Sequence, residues 1–258
     1  MIRVAVLGAA GSMGRLVCGA VEGDPELDLV AAIDPSHEGQ TVSAPRRDIE
    51  IAASIEAAAA ASAEVAVDFT HPEAVMANVR ALVEAGIHVV VGTTGIDGDR
   101  LGQIRGWLDD REGRGVVVAP NFSIGAVVAQ RLAEEAARFF PAAEVIELHH
   151  DRKADAPSGT AAATARRIAA ARVGSWQAPG GDERYRGGDV EGVRVHSVRL
   201  PGLVAHQEVI FGSLGQTLTI RHDAPDRSCY LPGVLLAIRE VGKRPGLTVG
   251  LEPLLDLG

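Results

Sequence analysis

Two histidines, a lysine and a Ser-Gly-Thr triplet lie within one short stretch of the chain, from Glu147 to Thr160. An imidazole such as that of His149 or His150 can donate a proton, and the ammonium group of Lys153 can reach the same pocket from a loop. Ser158-Gly159-Thr160 precedes an alanine-rich run and is predicted to open a helix, whose first amides and dipole attract a carboxylate. The stretch predicts a proton donor beside a receptor for an anionic substrate.

These residue types also have ordinary structural roles. A histidine often packs against hydrogen-bond partners, a lysine is usually solvated, and Ser-Gly-Thr often only caps a helix. In a continuous strand His149 and His150 would point to opposite faces, so only one would face a shared pocket. Their concentration in one stretch favours a site over these separate roles. A metal site is not expected, because the histidines lack a cysteine or carboxylate at ligand spacing: His149, His150, His196 and His206.

A second motif stands near the start of the chain, where Gly8, Gly11 and Gly14 follow a β-branched run. Glycines at this spacing allow a tight turn, the approach of a pyrophosphate and close packing of the following helix. Asp34 follows about 20 residues later, at the end of the next predicted strand, where a carboxylate accepts hydrogen bonds from an adenosine ribose. The pairing predicts a dinucleotide site and not merely a structural turn.

The cofactor preference stays open between NADH and NADPH. Pro35 follows Asp34 where a basic residue would favour a 2′-phosphate, and this favours NADH. Arg46 or Arg47 could reach over and supply that positive charge instead.

Two later loops follow predicted strands at the sheet edge where ligands bind. They are Asp68–Pro72 and Gly92–Gly95. The hydroxyls of Thr93 and Thr94 are expected to line the nicotinamide ribose, with Phe69 beside the ring. For Asp68 and His71, ordinary turn chemistry is the preferred interpretation.

Short β-branched runs alternate with alanine-rich segments in the first half, which predicts a parallel sheet with right-handed crossovers. The predicted strands are Val4–Leu7, Leu29–Ile33, Val65–Val67, His88–Val91 and Val116–Val118. The predicted helices are Met13–Val21, Ala74–Ala85 with Gly86 as its cap, and the alanine-rich segment Ile49–Glu64.

The pattern changes after Asn121, and adjacent strands without intervening helices predict an α+β part with antiparallel pairing. Its predicted elements are helix Ile124–Phe140, strand Val145–Leu148, helix Thr160–Arg172, a polar Gly/Pro stretch Gly174–Gly192, and strands Val193–Val198, Glu208–Phe211 and Gln216–Arg221. A last helix, Pro232–Val241, could return to the first domain. The predicted fold class is α/β, with an N-terminal Rossmann-like domain and a central α+β domain.

Composition excludes several classes of function. The formal net charge of −9 leaves no basic face for nucleic acid, and no apolar stretch is long enough for a bilayer. The first residues lead directly into the glycine turn and are interpreted as structural and not as a targeting signal. Cys18 and Cys229 are far apart, which fits two free thiols in a reducing compartment. A cytoplasmic location is therefore expected.

The sequence resembles the dihydrodipicolinate reductase family, whose members are also named 4-hydroxy-tetrahydrodipicolinate reductases. The most specific part of the resemblance is the stretch from Glu147 to Ala161. Other matching segments are Gly8–Gly14, Asp68–Thr70, Gly92–Gly95, Ala119–Ser123, Arg199–Gly212 and Pro232–Gly250. Arg152 stands where many relatives have another histidine.

The resemblance implies a dinucleotide-binding domain at 1–121 completed by 231–258, a substrate and oligomerisation domain at 122–230, and a homotetramer. It implies NADH- or NADPH-dependent hydride transfer to the conjugated imine of a small cyclic dicarboxylate, in the lysine and diaminopimelate pathway. His149 and Lys153 would be catalytic, and His150, Ser158, Gly159 and Thr160 would contact the substrate. The cofactor would be held by Gly8, Ala9, Ala10, Gly11, Ser12, Met13, Asp34, Phe69, Gly92, Thr93, Thr94, Ala119, Pro120, Asn121 and Phe122.

Two alternatives share the first domain. One is a two-domain dehydrogenase of the aspartate or homoserine type, which acts on a linear amino acid. The other is a nucleotide-sensing binding protein without turnover, which would have no reason to keep a histidine, a lysine and an anion-binding helix start together. Oxidation of NADH by the cyclic substrate would distinguish the three.

Overall fold

The computed structural model describes residues 1–43, 46–174 and 185–257. The chain forms two compact units, the first made of Met1–Ser123 with Tyr230–Gly258 and the second of Ile124–Cys229. The division into units does not test which unit binds the cofactor and which binds the substrate and oligomerises, so these functions stay predictions. Within the described residues, no helix combines the length and apolar composition needed to cross a bilayer.

The first unit is built on a mainly parallel sheet. Its strands, numbered along the whole chain, are β1 (Ile2–Leu7), β2 (Leu27–Ile33), β3 (Thr41–Val42), β4 (Ile49–Ala52), β5 (Val65–Asp68), β6 (His88–Val91), β7 (Gly115–Val118) and β13 (Gly246–Val249). They lie in the order β13-β7-β6-β5-β1-β2-β4-β3, and only the β3–β4 pair is antiparallel. Strands β5 and β7 are buried at every position, because a parallel sheet of this kind is covered on both faces.

In the described part of this unit the α-helices are α1 (Ser12–Gly23), α2 (Glu56–Ala60), α3 (Val75–Glu84), α4 (Gly98–Asp109) and α7 (Leu231–Val241). Helix α3 is followed by Gly86, whose φ of 76° is the left-handed conformation of a glycine cap. Helix α7 packs against α1 and β6, and β13 pairs with β7. The C-terminal segment therefore completes the first sheet.

In the second unit, the described residues place two α-helices and a mixed sheet around one core. Its elements are α5 (Ile124–Ala137), β8 (Ala142–His149), α6 (Gly159–Ala171), β9 (Gly188–Val190), β10 (Val193–Arg199), β11 (Ala205–Ser213) and β12 (Gln216–Ala224). The strand order is β12-β11-β8-β10-β9. Apolar residues of α5 and α6 pack with alternate residues of the strands, among them Val145, Val195 and Phe211.

Three expectations about the elements were wrong. Ile49–Glu64 is not one helix: Ile49–Ala52 is β4, which pairs with β2 and buries Ile51, so tertiary pairing overrides the helical tendency of the alanines. The pairing in the second unit is not purely antiparallel, because α6 crosses over between β8 and β10 and leaves them parallel. The stretch Gly174–Gly192 contains strand β9, although its residues 175–184 lie outside the described part of the chain.

Candidate active site

The carboxyl ends of β1, β2, β5 and β6 surround a cavity of about 550 Å³ in the first unit. Ligands of open parallel sheets bind at this edge. Nine residues predicted to hold the cofactor line the cavity: Gly8, Gly11, Ser12, Met13, Asp34, Phe69, Gly92, Thr93 and Thr94. The predicted dinucleotide loops are therefore brought together around one space.

The other six residues predicted to hold the cofactor lie near this cavity without forming its described lining. Ala9 and Ala119 are buried, Pro120 is exposed, and the amide of Ala10 points to Asp34. The Asn121 side chain accepts a hydrogen bond from a backbone amide two residues on, and the Phe122 ring packs 5.9 Å from the Phe69 ring. Their contact with a cofactor stays a prediction.

The glycine turn fits the backbone of a dinucleotide site. Gly8 has a φ of 72°, and a Cβ there would lie 2.4 Å from the carbonyl oxygen of Phe69. A Cβ on Gly14 would lie 2.0 Å from the carbonyl oxygen of Gly8. Gly11 is different, because its Cβ would meet only that same Gly8 oxygen, at 3.1 Å, and the residue borders the cavity. Two glycines are thus needed by internal packing, and Gly11 leaves room for a ligand.

Asp34 stands at the end of β2 with its carboxylate held in place. Its Oδ2 accepts from the Ala10 amide at 3.2 Å, and its Oδ1 accepts from the Ser36 amide at 3.2 Å and lies 3.0 Å from Nδ1 of His37. Burial raises the pKa of Asp34, but the hydrogen bonds from His37, Ala10 and Ser36 outweigh it and leave the pKa below its usual value. The cavity therefore presents a fixed negative charge.

Both arginines that could have served a 2′-phosphate are bound at the opposite end of β2. Arg46 donates to the Leu27 carbonyl at 2.7 Å, and its guanidinium lies 3.4 Å from the buried Glu22. Arg47 donates to the Asp28 carboxylate at 2.6 Å. These bonds hold both arginine side chains at the start of β2, whereas Asp34 lies at its end.

Asp68 has the structural role that the sequence suggested. It is fully buried and accepts from the hydroxyl of Thr93 at 2.6 Å, the hydroxyl of Thr70 at 2.7 Å and the amide of Asn78 at 2.8 Å. It therefore joins the loops after β5 and β6.

A Cβ on Gly92 would lie 2.2 Å from the Phe69 ring, so this ring rests directly on the glycine.

In the second unit, strand β8 ends at His149. Nδ1 of His149 lies 2.5 Å from Oε2 of Glu147, two residues earlier on the same face. Burial lowers the pKa of His149, the bond to Glu147 raises it, and the positive charges of Lys153 and Arg199 add to the lowering, so the pKa lies below its usual value. His149 is a titratable ring whose Nε2 is not engaged by Glu147.

Lys153 lies in the loop that follows β8. Its ammonium contacts the Asp155 carboxylate, at 2.7 Å to the nearer oxygen, and the lysine side chain is 23% exposed, so the charge can still be offered to a ligand. The ion pair lowers the pKa of Asp155.

His150 has a buried Nδ1 that has no hydrogen-bond partner among the described residues. Arg152, where many relatives have a histidine, is exposed.

The triplet Ser158-Gly159-Thr160 begins α6 as predicted. Ser158 is the N-cap, and its hydroxyl accepts from the Ala161 amide at 3.1 Å. Amides in the first turn of a helix have no acceptor within the helix, and Gly159 is exposed. The helix start can therefore receive an anion at Gly159 and Thr160.

Glu147 and Arg199 are the functional candidates that sequence reasoning missed. Arg199 donates to both oxygens of Glu147, at 2.9 and 2.7 Å, which places an ion pair with a fully buried carboxylate next to His149. A glutamate two residues before a histidine on a strand was a usable signal for the acid, since such residues share a face. Among the described residues, no group of three or more His, Cys, Asp or Glu side chains is arranged to hold a metal ion.

Both parts of the chain match models of a single protein family. Residues 2–122 match dihydrodipicolinate reductase, N-terminus, and residues 125–255 match dihydrodipicolinate reductase, C-terminus. The chain belongs to the dihydrodipicolinate reductase family. The resemblance carried by the stretch from Glu147 to Ala161 is thereby confirmed.

Dihydrodipicolinate reductases are similar to this chain over their whole length. The 4-hydroxy-tetrahydrodipicolinate reductase of Nocardia farcinica is 55% identical over 262 residues, which covers 99% of each chain. The corresponding reductase of Mycobacterium sp. strain KMS is 51% identical over 260 residues, covering 99% of this chain and 100% of the relative. The dipicolinate-bound dihydrodipicolinate reductase from Paenisporosarcina sp. TG-14 is 36% identical, with a TM-score of 0.86 and coverage of 98% and 99%. The predicted α/β fold class is confirmed.

Proposed function

We propose that this chain reduces 4-hydroxy-tetrahydrodipicolinate to tetrahydrodipicolinate, with release of water and oxidation of NADH or NADPH, in lysine and diaminopimelate biosynthesis. The observation that carries the proposal is the cluster of His149, Lys153 and the α6 N-terminus in a chain that matches the family from end to end. An amino-acid dehydrogenase of the aspartate or homoserine type would not need this cluster, and neither would a nucleotide sensor.

The first unit is suited to a nicotinamide dinucleotide, and we propose NADH as the preferred form. The Gly8–Gly14 turn leaves space for a pyrophosphate, and the nicotinamide supplies the hydride when bound. Asp34 can accept from both ribose hydroxyls but repels a 2′-phosphate, and Arg46 and Arg47 are bound elsewhere. The same reasoning leaves NADPH as the weaker donor.

His149 is proposed as the proton donor. Glu147 is ionised and can only accept, so the proton it shares with His149 belongs to Nδ1, and Nε2 is left available for the substrate. Once hydride has reached the conjugated carbon of the ring imine, the neighbouring carbon needs a proton, which the His149 imidazolium can supply from Nε2. Lys153 adds a positive charge that stabilises the dianion and the charge that develops during the reaction.

The two carboxylates of the substrate are assigned to complementary groups. One carboxylate meets the first amides of α6 at Gly159 and Thr160, with the Ser158 cap holding the turn in shape. The unpartnered Nδ1 of His150 offers a further contact. When substrate binds, the Lys153 ammonium leaves Asp155 and contacts a substrate carboxylate. Loss of the ion pair costs little free energy, because the Asp155 side chain is more than half exposed.

A homotetramer in the cytoplasm is proposed as the assembly and location. Strand β12 is an edge strand of the second sheet, and its first four residues are exposed, Leu218 among them. Leu214, in the turn before β12, is fully exposed. Edge strands with exposed apolar side chains readily pair with another chain. Light scattering of the purified protein tests the assembly, and a monomer would contradict it.

The deciding experiment mixes purified protein, freshly generated 4-hydroxy-tetrahydrodipicolinate and NADH, and follows the absorbance of the reduced nicotinamide. We expect rapid oxidation with NADH, slower oxidation with NADPH, and competitive inhibition by dipicolinate. Aspartate semialdehyde and homoserine, with the appropriate nicotinamide form, serve as alternative substrates. Turnover of either one alone would identify the dehydrogenase alternative, and nucleotide binding without turnover would identify a sensor.

A further inference from the structure

Glu147 is a fully buried carboxylate inside the second unit. Its Oε2 lies 2.5 Å from Nδ1 of His149 and 2.9 Å from Nη1 of Arg199. Its Oε1 accepts from Nη2 of Arg199 at 2.7 Å and from the backbone amide of Ser158 at 3.2 Å. The hydroxyl of Ser197 also donates to it. One side chain therefore contacts the proposed proton donor and the first residue of the proposed carboxylate receptor.

The strand register explains why these groups meet. Glu147 and His149 are two residues apart on β8, so both point to the face covered by α6. In the parallel pair of β8 and β10, Ser197 lies opposite Glu147 and Arg199 lies opposite His149. Four polar side chains are thus brought side by side at this end of the face, next to Gln207, which lies opposite Glu147 on β11 and bonds Thr164 of α6.

Arg199 keeps Glu147 ionised although the carboxylate is fully buried. Burial raises the pKa of the Glu147 carboxyl, but the hydrogen bonds from Arg199, Ser197 and His149 outweigh it and leave the pKa below its usual value. The guanidinium contributes two parallel hydrogen bonds, the strongest arrangement for a carboxylate. Arg199 also donates to the carbonyl of Asp155 at 2.6 Å, which anchors the loop that carries Lys153.

We infer that Glu147, held by Arg199, is a positioning residue for the reaction: it holds the Nδ1–H of His149, so that Nε2 is the nitrogen that gains and donates the reacting proton, and it sets the α6 N-terminus beside that ring. An ionised carboxylate accepts only, so it selects one tautomer of the neutral ring. Nothing in the family match assigns this role. The inference rests on the proposed function only for its kinetic consequences.

The proton balance follows from this arrangement. The His149 imidazolium breaks its Nε2–H bond as the new C–H bond forms on the ring carbon, and it is left neutral with its proton on Nδ1. Glu147 stays ionised throughout and stabilises the imidazolium before transfer. The charged groups facing the ring are Glu147 on its own strand, Arg199 on β10 and Lys153 in the loop. Of these, only Glu147 favours the charged donor.

The first test measures the tautomer of His149 in the wild-type protein and uses one variant only to assign the NMR signals. Imidazole nitrogen shifts of the wild-type protein are measured by NMR above the titration range of histidine, and His149→Gln identifies the His149 signals. We expect the neutral ring to carry its proton on Nδ1 almost entirely. A ring protonated on Nε2, or an even mixture of the two tautomers, overturns the inference whatever the enzyme does.

The second test removes the carboxylate charge with Glu147→Gln. We expect kcat to fall by at least about tenfold, and the alkaline limb of the pH profile to move to lower pH, because the group that favours the imidazolium is lost. The KM for NADH should stay within about twofold, since the cofactor cavity belongs to the first unit. Wild-type kcat with an unchanged pH profile in a folded variant overturns the inference.

A matched control lies on the opposite face of the same strand. Glu144 contacts Arg186 and lies 2.9 Å from Nε2 of His196, so it too is a glutamate paired with an arginine and a histidine, but away from His149. Glu144→Gln should leave kcat and its pH profile within about twofold of wild type. An equal effect of both variants would indicate general damage to β8 and would overturn the specific role of Glu147.

A double variant covers the case in which Glu147→Gln does not fold because Arg199 is left unpaired. Replacing both members of a buried ion pair by apolar residues is often tolerated, so Glu147→Leu with Arg199→Leu should fold and show the same loss of kcat. Undiminished kcat in the double variant overturns the inference. If wild-type protein oxidises no NADH, the proposed function fails, while the NMR result on His149 still decides the tautomer.

Discussion

The backbone amide of Ala10 donates to the carboxylate of Asp34, with 3.2 Å between N and Oδ2. This bond ties the glycine turn after β1 to the end of β2, so the pyrophosphate cradle and the proposed ribose acceptor are held as one rigid piece. The other oxygen is occupied by the Ser36 amide and by His37. Asp34 is therefore a preorganised acceptor whose charge persists at neutral pH.

Replacing Asp34 by alanine should weaken the binding of NADH much more than the binding of NADPH. A hydrogen bond to a charged group contributes about 1.5–3 kcal/mol, so we expect the KM for NADH to rise by about tenfold to a hundredfold. The KM for NADPH should change little or fall, because the repulsion of its 2′-phosphate is removed. Steady-state kinetics with both cofactors measures the ratio. Asp28→Ala, at the other end of β2, is the control, and an equal loss for both cofactors would contradict the ribose assignment.

Gly14→Ala should damage the first unit through packing alone. The new Cβ would lie 2.0 Å from the Gly8 carbonyl oxygen, and relieving such an overlap costs about 1–3 kcal/mol or more. We expect a lower midpoint of urea unfolding together with weaker NADH binding. Gly19→Ala is the matched control, because it lies on the same helix with nothing within 4 Å of its Cβ. A stable Gly14→Ala protein would show that the turn can rearrange.

The parallel sheet could be predicted because its strands are buried on both faces and form unbroken apolar runs. His88–Val91 is an example in which the predicted and observed strands coincide. Ile49–Ala52 could not be predicted in the same way, since it runs directly into an alanine-rich segment and its strand character comes from pairing with β2. Local pattern decides an element only where no distant partner competes with it.

The site was partly predictable for a similar reason. His149, Lys153 and Ser158 are close in sequence, so their meeting needs only a strand end, a loop and a helix start. Arg199 is 52 residues from Glu147, and their contact depends on a parallel register that nothing in the local pattern specifies. Long-range partners of catalytic groups therefore require the structure.

His149→Ala should abolish most turnover without loss of the cofactor. Removal of a general acid typically costs about a hundredfold to ten-thousandfold in rate, and the cofactor cavity lies in the other unit. Fluorescence titration with NADH should give a Kd close to that of the wild type. His196→Ala is the control, since its ring contacts Glu144 on the opposite face of the sheet. Near-normal kcat in His149→Ala would remove this residue from catalysis.

The value of kcat/KM should fall on the alkaline side of its pH profile, and the midpoint of that fall should lie at an unusually low pH. A proton donor must be protonated, and burial leaves the pKa of His149 below its ordinary value of 6.5. Activity of the free enzyme should therefore decline as pH rises through a midpoint below that value. A bound dianion favours the imidazolium, so the midpoint in kcat should be higher. A kcat/KM that increases with pH over this range would contradict the assignment of His149 as the acid.

Gly159→Ala separates ligand binding from folding at the α6 N-terminus. A Cβ at Gly159 would have nothing within 4 Å, and alanine is the better helix former, so the free energy of unfolding should stay the same or rise by up to about 1 kcal/mol. The same methyl group would stand where a carboxylate must approach the first amides of the helix, and we expect the KM for the substrate and the Kd for dipicolinate to rise at least about tenfold. Gly106→Ala in α4 also has an open Cβ and serves as the control. Calorimetric titration with dipicolinate measures the affinity, and unchanged binding by a stable Gly159→Ala protein would place the substrate carboxylates elsewhere.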